Sequence, residues 1–447
     1  MKLSRVASWT SGELVGRDLE CLGVSTDTRT LEEGNLFVAL RGEHFDAHDF
    51  LEEAARAGAA GALVERNTPA FPGYVLVGDT RRALGRLAAG WMAQFRLPTV
   101  AITGSAGKTT VKEMLALMLG RGVLATRGNL NNEIGVPLTL LRAGPMHRHA
   151  VIELGANHPG EIAWTSTLVN PGVVMITNVG GAHLEGFGSL EGIAEAKSEI
   201  FRGLRSGGTA VINMDDDFAG FFTERAREAG ARLLRVGIRE PADITAAEIV
   251  VDEGGTRFVL QSGEQRLPVS IPLLGEHQVL NVLVAAAAVQ ALGLELEPAL
   301  QRLAGLEAVA GRMEPRACAG GLLIDDSYNA SPASVRAAIE VLAGLPGPRL
   351  LALGAMAELG EQEALLHRQE GARARQAGIS QLVALGQAAA PAVEAFGEGA
   401  RLATTHDEVA QDARQVLQAG GTVLVKGSRG MQMEQVVMKL RGAEEAG

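Results

Sequence analysis

One stretch, residues 99–110, constrains the fold of this chain more than any other. It reads TVAITGSAGKTT, an apolar β-branched run followed by a glycine-bounded turn and a Lys-Thr-Thr sequence. The run is typical of a buried parallel strand, and residues 111–119 have the composition of a helix. This order is typical of a phosphate-binding P-loop, in which backbone amides and a helix N-terminus bind phosphate oxygens. The nucleotide-binding residues that it predicts are Gly104, Ser105, Ala106, Gly107, Lys108, Thr109 and Thr110.

Two side chains of this loop have distinct expected roles. Lys108 should reach the β- and γ-phosphates, and the Thr109 hydroxyl should coordinate Mg²⁺. The general pattern has a glycine five places before the second one, and here that position is Ile102. An ordinary strand-to-helix turn is the alternative interpretation. Strand, turn, lysine and paired threonines agree with each other, so the P-loop is the interpretation that we adopt.

Composition narrows the class of protein. A chain of 447 residues predicts two to four domains. It is 47% hydrophobic but only 4% aromatic, so its cores must be built mainly from aliphatic side chains, which suits α/β layers. The net charge of -11 argues against a general nucleic-acid-binding protein, which needs a basic face. Anionic small molecules need only a local positive site, so they remain possible ligands.

The cysteine content and the hydropathy of the chain help to predict the cellular compartment of the protein. Cys21 and Cys318 lie far apart with no ligand spacing, so neither a disulfide framework nor a zinc site is predicted. No apolar run follows the first residues, and we expect no signal peptide and a cytoplasmic location. The most apolar stretch, residues 279–296, is interrupted by Asn281 and Gln290. It is better explained as a buried helix than as a membrane span.

Polar residues follow two further predicted strands. Glu153 ends the run that begins at His149, and His183 lies in the loop after residues 172–179. Alternating strands and helices predict a mostly parallel sheet, whose ligands bind at the carboxyl ends of the strands. Alone, each residue would be explained as a solvated loop side chain. Beside a P-loop, they favour a Mg²⁺ and water site, and a histidine ligand would imply a second metal position.

Other polar clusters leave two interpretations open. Residues 25–29 (STDTR) could cap a turn or hold a diphosphate. Lys197, within EAKSE, is explained by charge pattern alone as part of a solvated helix face. Arg312 ends the second unit and could reach the γ-phosphate. The sequence KGSR at residues 426–429 could grip a carboxylate or phosphate, or form a solvated basic turn.

Taken together, these motifs resemble those of the Mur ligases, ATP-dependent amide-bond enzymes of peptidoglycan precursor synthesis. The resemblance covers essentially the whole chain, and its central motifs are residues 103–110, 128–135, 153–155, 178–188 and 275–281. It implies a three-domain α/β fold. Residues 1–97 would be a small UDP-substrate-binding domain with a connector helix, 98–314 a P-loop parallel-sheet ATPase domain, and 315–447 a Rossmann-like ligase domain.

The resemblance also implies an activity. Residues 25–29, 325–332, 354–360 and 426–429 match the branch that adds D-alanyl-D-alanine to UDP-N-acetylmuramoyl-tripeptide through an acyl phosphate. No Asp-Asn-Pro-Arg motif of the sister ligase that adds the third amino acid is found. Another Mur-like ligase, such as the tripeptide synthetase or a folylpolyglutamate-type enzyme, is the alternative. Outside this class, the alternatives are a P-loop kinase or nucleotide-dependent binding protein that forms no amide bond, and a degenerate structural homologue.

Roles for individual residues follow from the resemblance. ATP would contact the P-loop and Asn281, Arg312, Asp326 and Asn329, with Asp326 on the ribose. The catalytic set would be Lys108, Lys197, His183 and Arg312, and the ligands of two Mg²⁺ ions would be Thr109, Glu153, His183 and Lys197 carbamylated by CO₂. The other substrates would contact Ser25, Thr26, Asp27, Arg29, Asp46, His48, Lys426, Ser428 and Arg429. A monomer is expected.

Overall fold

The computed structural model describes residues 1–42, 44–181 and 184–442 and builds them around three β-sheets. Helices cover the sheets, and most neighbouring strands are parallel, so the predicted three-domain α/β fold is confirmed. The third sheet begins at Glu314, which the predicted boundary assigns to the central segment. The other segment boundaries remain a prediction. Within the described ranges, no helix combines the length and the apolar character needed to cross a membrane.

The N-terminal sheet has five strands in the order β1-β5-β4-β3-β2, and only the β1–β5 pair is antiparallel. Its strands are β1 (Glu13–Gly16), β2 (Gly23–Ser25), β3 (Asn35–Val38), β4 (Gly61–Val64) and β5 (Gly73–Leu76), and its helices are α1 (Leu3–Thr10) and α2 (Leu51–Arg56). The connector helix α3 (Thr80–Ala93) begins at Asp79, whose side chain accepts a hydrogen bond from the Arg82 amide and so caps the helix.

The central sheet has nine strands in the order β14-β13-β12-β11-β10-β9-β6-β8-β7. Its strands are β6 (Thr99–Thr103), β7 (Val123–Ala125), β8 (His149–Glu153), β9 (Val173–Ile176), β10 (Thr209–Asn213), β11 (Arg232–Val236), β12 (Ile244–Asp252), β13 (Gly255–Ser262) and β14 (Gln265–Ile271). Strands β6 to β11 are parallel as predicted, whereas β12, β13 and β14 form an antiparallel meander that the sequence analysis did not predict.

Helices cover both faces of the central sheet. They are α4 (Lys108–Leu119), α5 (Gly135–Leu140), α6 (Glu161–Val169), α7 (Leu184–Phe187), α8 (Leu190–Ser198), α9 (Ala219–Glu228), α10 (Glu276–Ala291) and α11 (Leu296–Gln301). One face packs against α4 and the alanine-rich α10, which is buried as expected from the sequence. Strand β6 is entirely buried between β8 and β9. Its carboxyl end therefore delivers the glycine-rich loop to the middle of the sheet edge.

The third sheet has six strands in the order β15-β16-β20-β17-β18-β19, with only β15 and β16 antiparallel to each other. Its strands are β15 (Glu314–Cys318), β16 (Gly321–Asp326), β17 (Arg349–Gly354), β18 (Gln381–Leu385), β19 (Ala400–Ala403) and β20 (Thr422–Lys426). Its helices are α12 (Pro332–Ala343), α13 (Glu363–Gln376), α14 (Ala390–Phe396), α15 (His406–Gln418) and α16 (Glu434–Gly442). Ser331 caps α12. The first residue of the helix is Pro332, and proline is favoured at the first position of a helix.

The central and C-terminal regions are packed against each other. Ile193 of α8 and Leu274, which precedes α10, are fully buried in the same apolar cluster as Ile324, Val335 and Leu342 of the C-terminal region. Burial of apolar surface across this junction stabilises the contact. The carboxyl edges of the second and third sheets consequently face each other, and the candidate site lies between them.

Candidate active site

A cavity of about 470 Å³ lies between the two sheet edges. The P-loop and Glu153 line it from the central sheet, and helix α10 contributes Asn281. From the C-terminal side come Asp326 at the end of β16 and Lys426 at the end of β20. Polar groups from distant parts of the sequence thus converge on one space, as is typical of a ligand site.

The backbone of the P-loop requires glycine at two positions. Gly104 has a φ of 150°, and a Cβ atom there would lie 1.8 Å from Oγ1 of Thr177. Gly107 has a φ of 80°, and a Cβ atom there would lie 2.7 Å from Oδ1 of Asn281 on helix α10. Helix α4 begins directly after it at Lys108, so the first amides of the helix have no intrahelical acceptor and are available to an anion.

Lys108 lies inside this loop. Its Nζ donates hydrogen bonds to the carbonyl oxygens of Gly104 at 2.7 Å and Ser105 at 3.4 Å. Burial lowers the pKa of Lys108, the nearby Glu153 carboxylate raises it, and the positive charge of Arg312 lowers it further. A bound phosphate would be a far better partner for this ammonium than two neutral carbonyl groups.

Asn178 holds the P-loop from the end of strand β9. Its Oδ1 accepts the Ala106 amide at 2.9 Å, its Nδ2 donates to the Ala106 carbonyl at 3.1 Å, and its own carbonyl accepts the Ser105 amide at 2.9 Å. The Thr177 hydroxyl donates to the same Ala106 carbonyl at 2.6 Å. The sequence analysis predicted that Ser105 and Ala106 contact phosphate. In the structure their amides donate to Asn178, and both residues line the cavity, so their contact with phosphate stays a prediction.

We therefore expect Asn178→Ala to weaken ADP binding at least tenfold, because the free loop would no longer be held in a shape that fits phosphate. Titration calorimetry with ADP measures this directly. Asn213→Ala is the matched control: its buried amide donates to the Thr177 carbonyl at 2.9 Å and makes no contact with the P-loop among its hydrogen bonds. Equal weakening of ADP binding by both variants would contradict the specific role of Asn178.

Thr109 and Glu153 form a pair suited to a hard cation. The Thr109 hydroxyl donates to Oε2 of Glu153 at 2.9 Å, and Asn131 Nδ2 donates to Oε1 at 2.8 Å. Glu153 is only 2% exposed, and its amide is bound by the Thr126 hydroxyl. Mg²⁺ in nucleotide sites typically takes one or two protein oxygens together with phosphate oxygens and water. The chemistry of this pair therefore fits the predicted metal position.

Lys197 is buried near this pair, not on a solvated helix face. The charge pattern of residues 195–199 favoured a surface position, but Lys197 is only 6% exposed. Burial and the positive charge of Lys108 lower its pKa to about 7, while Asp216 acts in the opposite direction. Among the described residues, its Nζ makes no hydrogen bond and no ion pair. The predicted ligand His183 lies outside the described residues, so the second metal position stays a prediction.

Arg312 and Tyr328 form the wall of the cavity at the junction of the two sheets. The Arg312 guanidinium lies 4.3 Å from the ring centroid of Tyr328, and its Nε is buried without a hydrogen-bond partner. Tyr328 is held by its amide, which donates to the Gly311 carbonyl at 3.0 Å. Stacking fixes the plane of the guanidinium and leaves its outer nitrogens available for an anion.

The predicted ribose and dipeptide residues are closer together than expected. Lys426 Nζ contacts Asp326 Oδ2 at 2.5 Å and the Asn329 carbonyl at 3.0 Å, and the Met313 amide donates to Asp326 Oδ1 at 3.2 Å. Lys426 is therefore the partner of Asp326 in the cavity wall, and the separate roles predicted for these two residues stay predictions. Ser428 is buried, and Arg429 is paired with Glu434 at 3.0 Å, so neither lines the cavity here.

His277 completes this side of the cavity. Burial, together with the Lys426 charge, lowers its pKa to about 4, so it is neutral near pH 7. One turn later on the same face, Asn281 Nδ2 donates to Gln278 Oε1 at 2.9 Å. His277 and Asn281 lie one turn apart on helix α10, and both line the cavity.

The predicted UDP-side residues lie in the N-terminal region, away from the cavity. Asp27 accepts the Arg29 amide and pairs with its guanidinium at 2.6 Å, which lowers the pKa of Asp27 to about 2. The Ser25 hydroxyl donates to the Asp27 carbonyl at 2.9 Å, so this cluster, which includes Thr26, forms a turn. Arg29 remains 85% exposed, and diphosphate binding by this turn stays a prediction.

Asp46 and His48 have a structural role that the sequence did not reveal. Asp46 Oδ1 contacts His48 Nδ1 at 2.6 Å, and His48 Nε2 accepts the Glu65 amide at 2.9 Å. Both ring nitrogens of the buried histidine are thus engaged within the fold. The expectation that His48 contacts substrate is not supported by this geometry, because no ring nitrogen is left for a ligand.

Five residues were absent from the predicted set: Asn131, Thr177, Asn178 and Tyr328, which line the cavity, and Asp216, which binds the amide of the lining residue Val179. Three of them lie within motifs that the sequence analysis had singled out, so position alone could have suggested Asn131, Asn178 and Tyr328. The sequence did not single out Asp216, because it is one of three consecutive aspartates and nothing local distinguishes it from its neighbours. Its carboxylate accepts the Val179 amide at 2.7 Å, and burial raises its pKa.

Family models match two parts of the chain. The Mur ligase middle domain matches residues 102–289. The domain described as Mur ligase, glutamate ligase domain matches residues 311–429. The match to the first contains the P-loop, Glu153 and Lys197, and the match to the second contains Asp326 and Lys426.

Whole-chain comparisons agree with the family models. UDP-N-acetylmuramoyl-tripeptide–D-alanyl-D-alanine ligase of Escherichia coli (strain K12) is 44% identical over 98% of both chains. A crystal structure of MurF from Acinetobacter baumannii superposes with a TM-score of 0.93 at 37% identity, covering 98% of both chains. MurF ligase from Thermotoga maritima in complex with ADP gives a TM-score of 0.86 at 31% identity, covering 95% of this chain and 98% of the other.

Proposed function

This chain belongs to the Mur ligase family, and from that premise we propose that it joins D-alanyl-D-alanine to UDP-N-acetylmuramoyl-tripeptide with ATP as the phosphate donor. The products are the UDP-muramoyl-pentapeptide, ADP and phosphate. The observation that carries the proposal is the 44% identity, over 98% of both chains, to a relative named for this activity. The tripeptide synthetase and folylpolyglutamate-type alternatives are not favoured by these relatives.

In the first step, the terminal carboxylate of the tripeptide attacks the γ-phosphorus of ATP, and the bond to the bridging oxygen of ADP breaks. Two anionic groups must approach each other, so charge neutralisation and positioning are the main tasks of the site. Lys108 and the first amides of helix α4 support this proposal, because they are aimed at the cavity and have no strong acceptor of their own. Arg312 would add positive charge from the opposite wall.

In the second step, the amine of D-alanyl-D-alanine attacks the carbonyl carbon of the acyl phosphate. A tetrahedral intermediate forms and collapses with loss of phosphate, which yields the amide bond. Water would compete with the amine for the acyl phosphate. The apolar contact through Ile193 and Leu274 supports a site that is enclosed during the reaction, because it seats the C-terminal region on the cavity.

Mg²⁺ is part of this proposal. The side chains of Thr109 and Glu153 would hold one ion, with Asn131 orienting Glu153. Bound Mg²⁺ supplies positive charge that neutralises the phosphate oxygens. The second ion, with His183 and Lys197 as ligands, rests on the family resemblance.

Carbamylation of Lys197 is also a proposal. The neutral amine adds to CO₂, forms an N–C bond and releases one proton, which converts a neutral group into an anion. A pKa of about 7 supports it, and so does burial without a hydrogen bond or ion pair to any described residue, because a neutral amine is the reactive form. The carbamate would then meet the positive charge of Lys108 and of Mg²⁺.

The test measures phosphate release from ATP and UDP-muramoyl-tripeptide, with and without D-alanyl-D-alanine, and follows the product by mass spectrometry. We expect phosphate only with the dipeptide, together with a product heavier by D-alanyl-D-alanine minus water. Turnover with a single amino acid would move the assignment to a sister ligase. Phosphate release that does not depend on the amine would refute ligation. The P-loop kinase and the nucleotide-dependent binding protein would then remain as alternatives.

The proposal also includes an expected cellular location and an expected oligomeric state. A cytoplasmic location is inferred from the substrates, since ATP and UDP-linked precursors are found there. A monomer is expected from the family resemblance.

A further inference from the structure

Gly180 lies where the C-terminal region touches the segment that supports the P-loop. It follows Thr177 and Asn178, which hold the Ala106 peptide, and it is itself bound to the P-loop. The Gly180 amide donates to Ser105 Oγ at 2.9 Å, and the Ser105 hydroxyl lies 3.1 Å from the Gly180 carbonyl. A shift of Gly180 would therefore be passed directly to Ser105.

The Cα of Gly180 also faces helix α12 of the C-terminal region. A Cβ atom built on Gly180 would lie 2.8 Å from Cβ of Ala333 and 3.5 Å from Cβ of Ser105. Ala333 is the second residue of α12, whose N-terminus is fixed by the Ser331–Ser334 capping box. Gly180 is buried, and its φ is not in the left-handed region, so the contact, not the backbone, requires glycine here.

We propose that Gly180 is a positioning residue for ligation: through it, the seated C-terminal region fixes the P-loop at Ser105 against Arg312 and Lys426 on the other wall. The proposal rests on the proposed function, because it assumes that both walls act on one nucleotide. An added methyl group has to move either α12 or the P-loop, since interiors are too closely packed to absorb it.

The test compares Gly180→Ala, Ala333→Gly and the double variant. For Gly180→Ala we expect kcat for ligation to fall at least tenfold, while the Kd for ADP changes less than threefold, because Thr177 and Asn178 still hold the P-loop. In the double variant the methyl group finds the space left by the Ala333 side chain. Its kcat should return to within threefold of that of Ala333→Gly alone.

A further variant, Ala333→Val, and small-angle scattering test the same contact independently. Ala333→Val enlarges the same contact from the other side and should also lower kcat, so the test does not depend on the folding of Gly180→Ala. Small-angle scattering with ADP bound should show a larger radius of gyration for Gly180→Ala than for the wild-type protein. This readout needs no ligase substrate, so failure of the proposed function, seen as absent ligation by the wild-type protein, remains distinguishable.

Three results would overturn the proposal. In the first, Gly180→Ala keeps the wild-type kcat. In the second, the double variant is as slow as Gly180→Ala, which would mean that Ala333 is not the obstacle. In the third, the Kd for ADP rises in parallel with the loss of kcat. This would mean that Gly180 only supports the P-loop and does not link it to the C-terminal region.

Discussion

Lys197→Met should reduce ligation by about three orders of magnitude and, at pH 6, make the protein more stable than the wild type. Loss of activity is expected because the proposed carbamate would act on the reacting phosphate, and removal of one such electrostatic group typically costs roughly two to three orders of magnitude. The gain in stability has a different cause. Burial lowers the pKa of Lys197 from 10.5 to about 7, so folding disfavours its charged form.

The sign of the pH dependence follows from that pKa. Below about pH 7 the wild-type ammonium is charged in both the folded and the unfolded protein, and its burial destabilises the fold fully. As pH rises from about 7 towards 10.5, the folded protein holds a neutral amine and this destabilisation disappears. The advantage of Lys197→Met should therefore shrink between pH 6 and pH 9 in thermal unfolding experiments.

Lys112→Met is the matched control for stability. Lys112 is equally buried, at 1% exposed, but its Nζ donates to the Thr126 carbonyl at 2.8 Å and pairs with Glu113 at 2.7 Å. Its replacement should lower stability, because it leaves a buried carbonyl without a donor. If Lys197→Met and the wild-type protein had the same stability at pH 6 and pH 9, the buried, unpaired state of Lys197 would be refuted.

Carbamylation of Lys197 can be measured directly by NMR and by the dependence of activity on CO₂. With ¹³C-bicarbonate, the wild-type protein should show one carbamate resonance that Lys197→Met lacks. Activity should fall in CO₂-depleted buffer and return on addition of bicarbonate. A resonance that persists in Lys197→Met would place the carbamate on another amine.

Glu153→Gln is the second large effect. We expect kcat to fall by roughly two to three orders of magnitude, and the Mg²⁺ concentration for half-maximal rate to rise at least about tenfold. The reason is that the amide removes the negative charge beside the Thr109 hydroxyl while it keeps the size of the side chain and an acceptor for Asn131. Steady-state rates over a Mg²⁺ titration measure both quantities.

An exposed carboxylate provides the control for this variant. Glu228→Gln removes a charge on helix α9, where Glu228 pairs with Arg225 at 3.1 Å on the surface. It should leave the Mg²⁺ dependence unchanged, because surface ion pairs contribute little. If Glu153→Gln lowered kcat with no change in the Mg²⁺ requirement, Glu153 would act on the nucleotide by another route.

The P-loop was predictable because its information is local. Alternation of apolar strand, glycine turn and helix fixed β6, the loop and α4 within a few residues of their observed bounds. Burial of the alanine-rich α10 followed from its composition in the same way. The meander β12–β14 was not predicted, although buried and exposed residues alternate along β13 and β14 as in half-buried strands, so the local signal was present and was missed.

Lys197 and His48 show where sequence patterns misled. Mixed charge around Lys197 is typical of a solvated helix, but the side chain faces a cavity that other segments create. His48 sits in a motif with polar neighbours, yet both its ring nitrogens are used by Asp46 and Glu65. Burial and hydrogen-bond partners are properties of the assembled fold, and they decide the chemistry of both residues.

The sequence by itself determined the α/β class, the P-loop and, by resemblance, the family, because strand and helix patterns and motif spacing are carried by neighbouring residues. Only the tertiary structure decided that Lys426 pairs with Asp326, 100 residues away along the chain, and that Asn178 holds a loop 72 residues before it. It also placed Gly180 between Ser105 and Ala333. Such contacts arise from the packing of distant segments, for which the linear sequence carries no local signal.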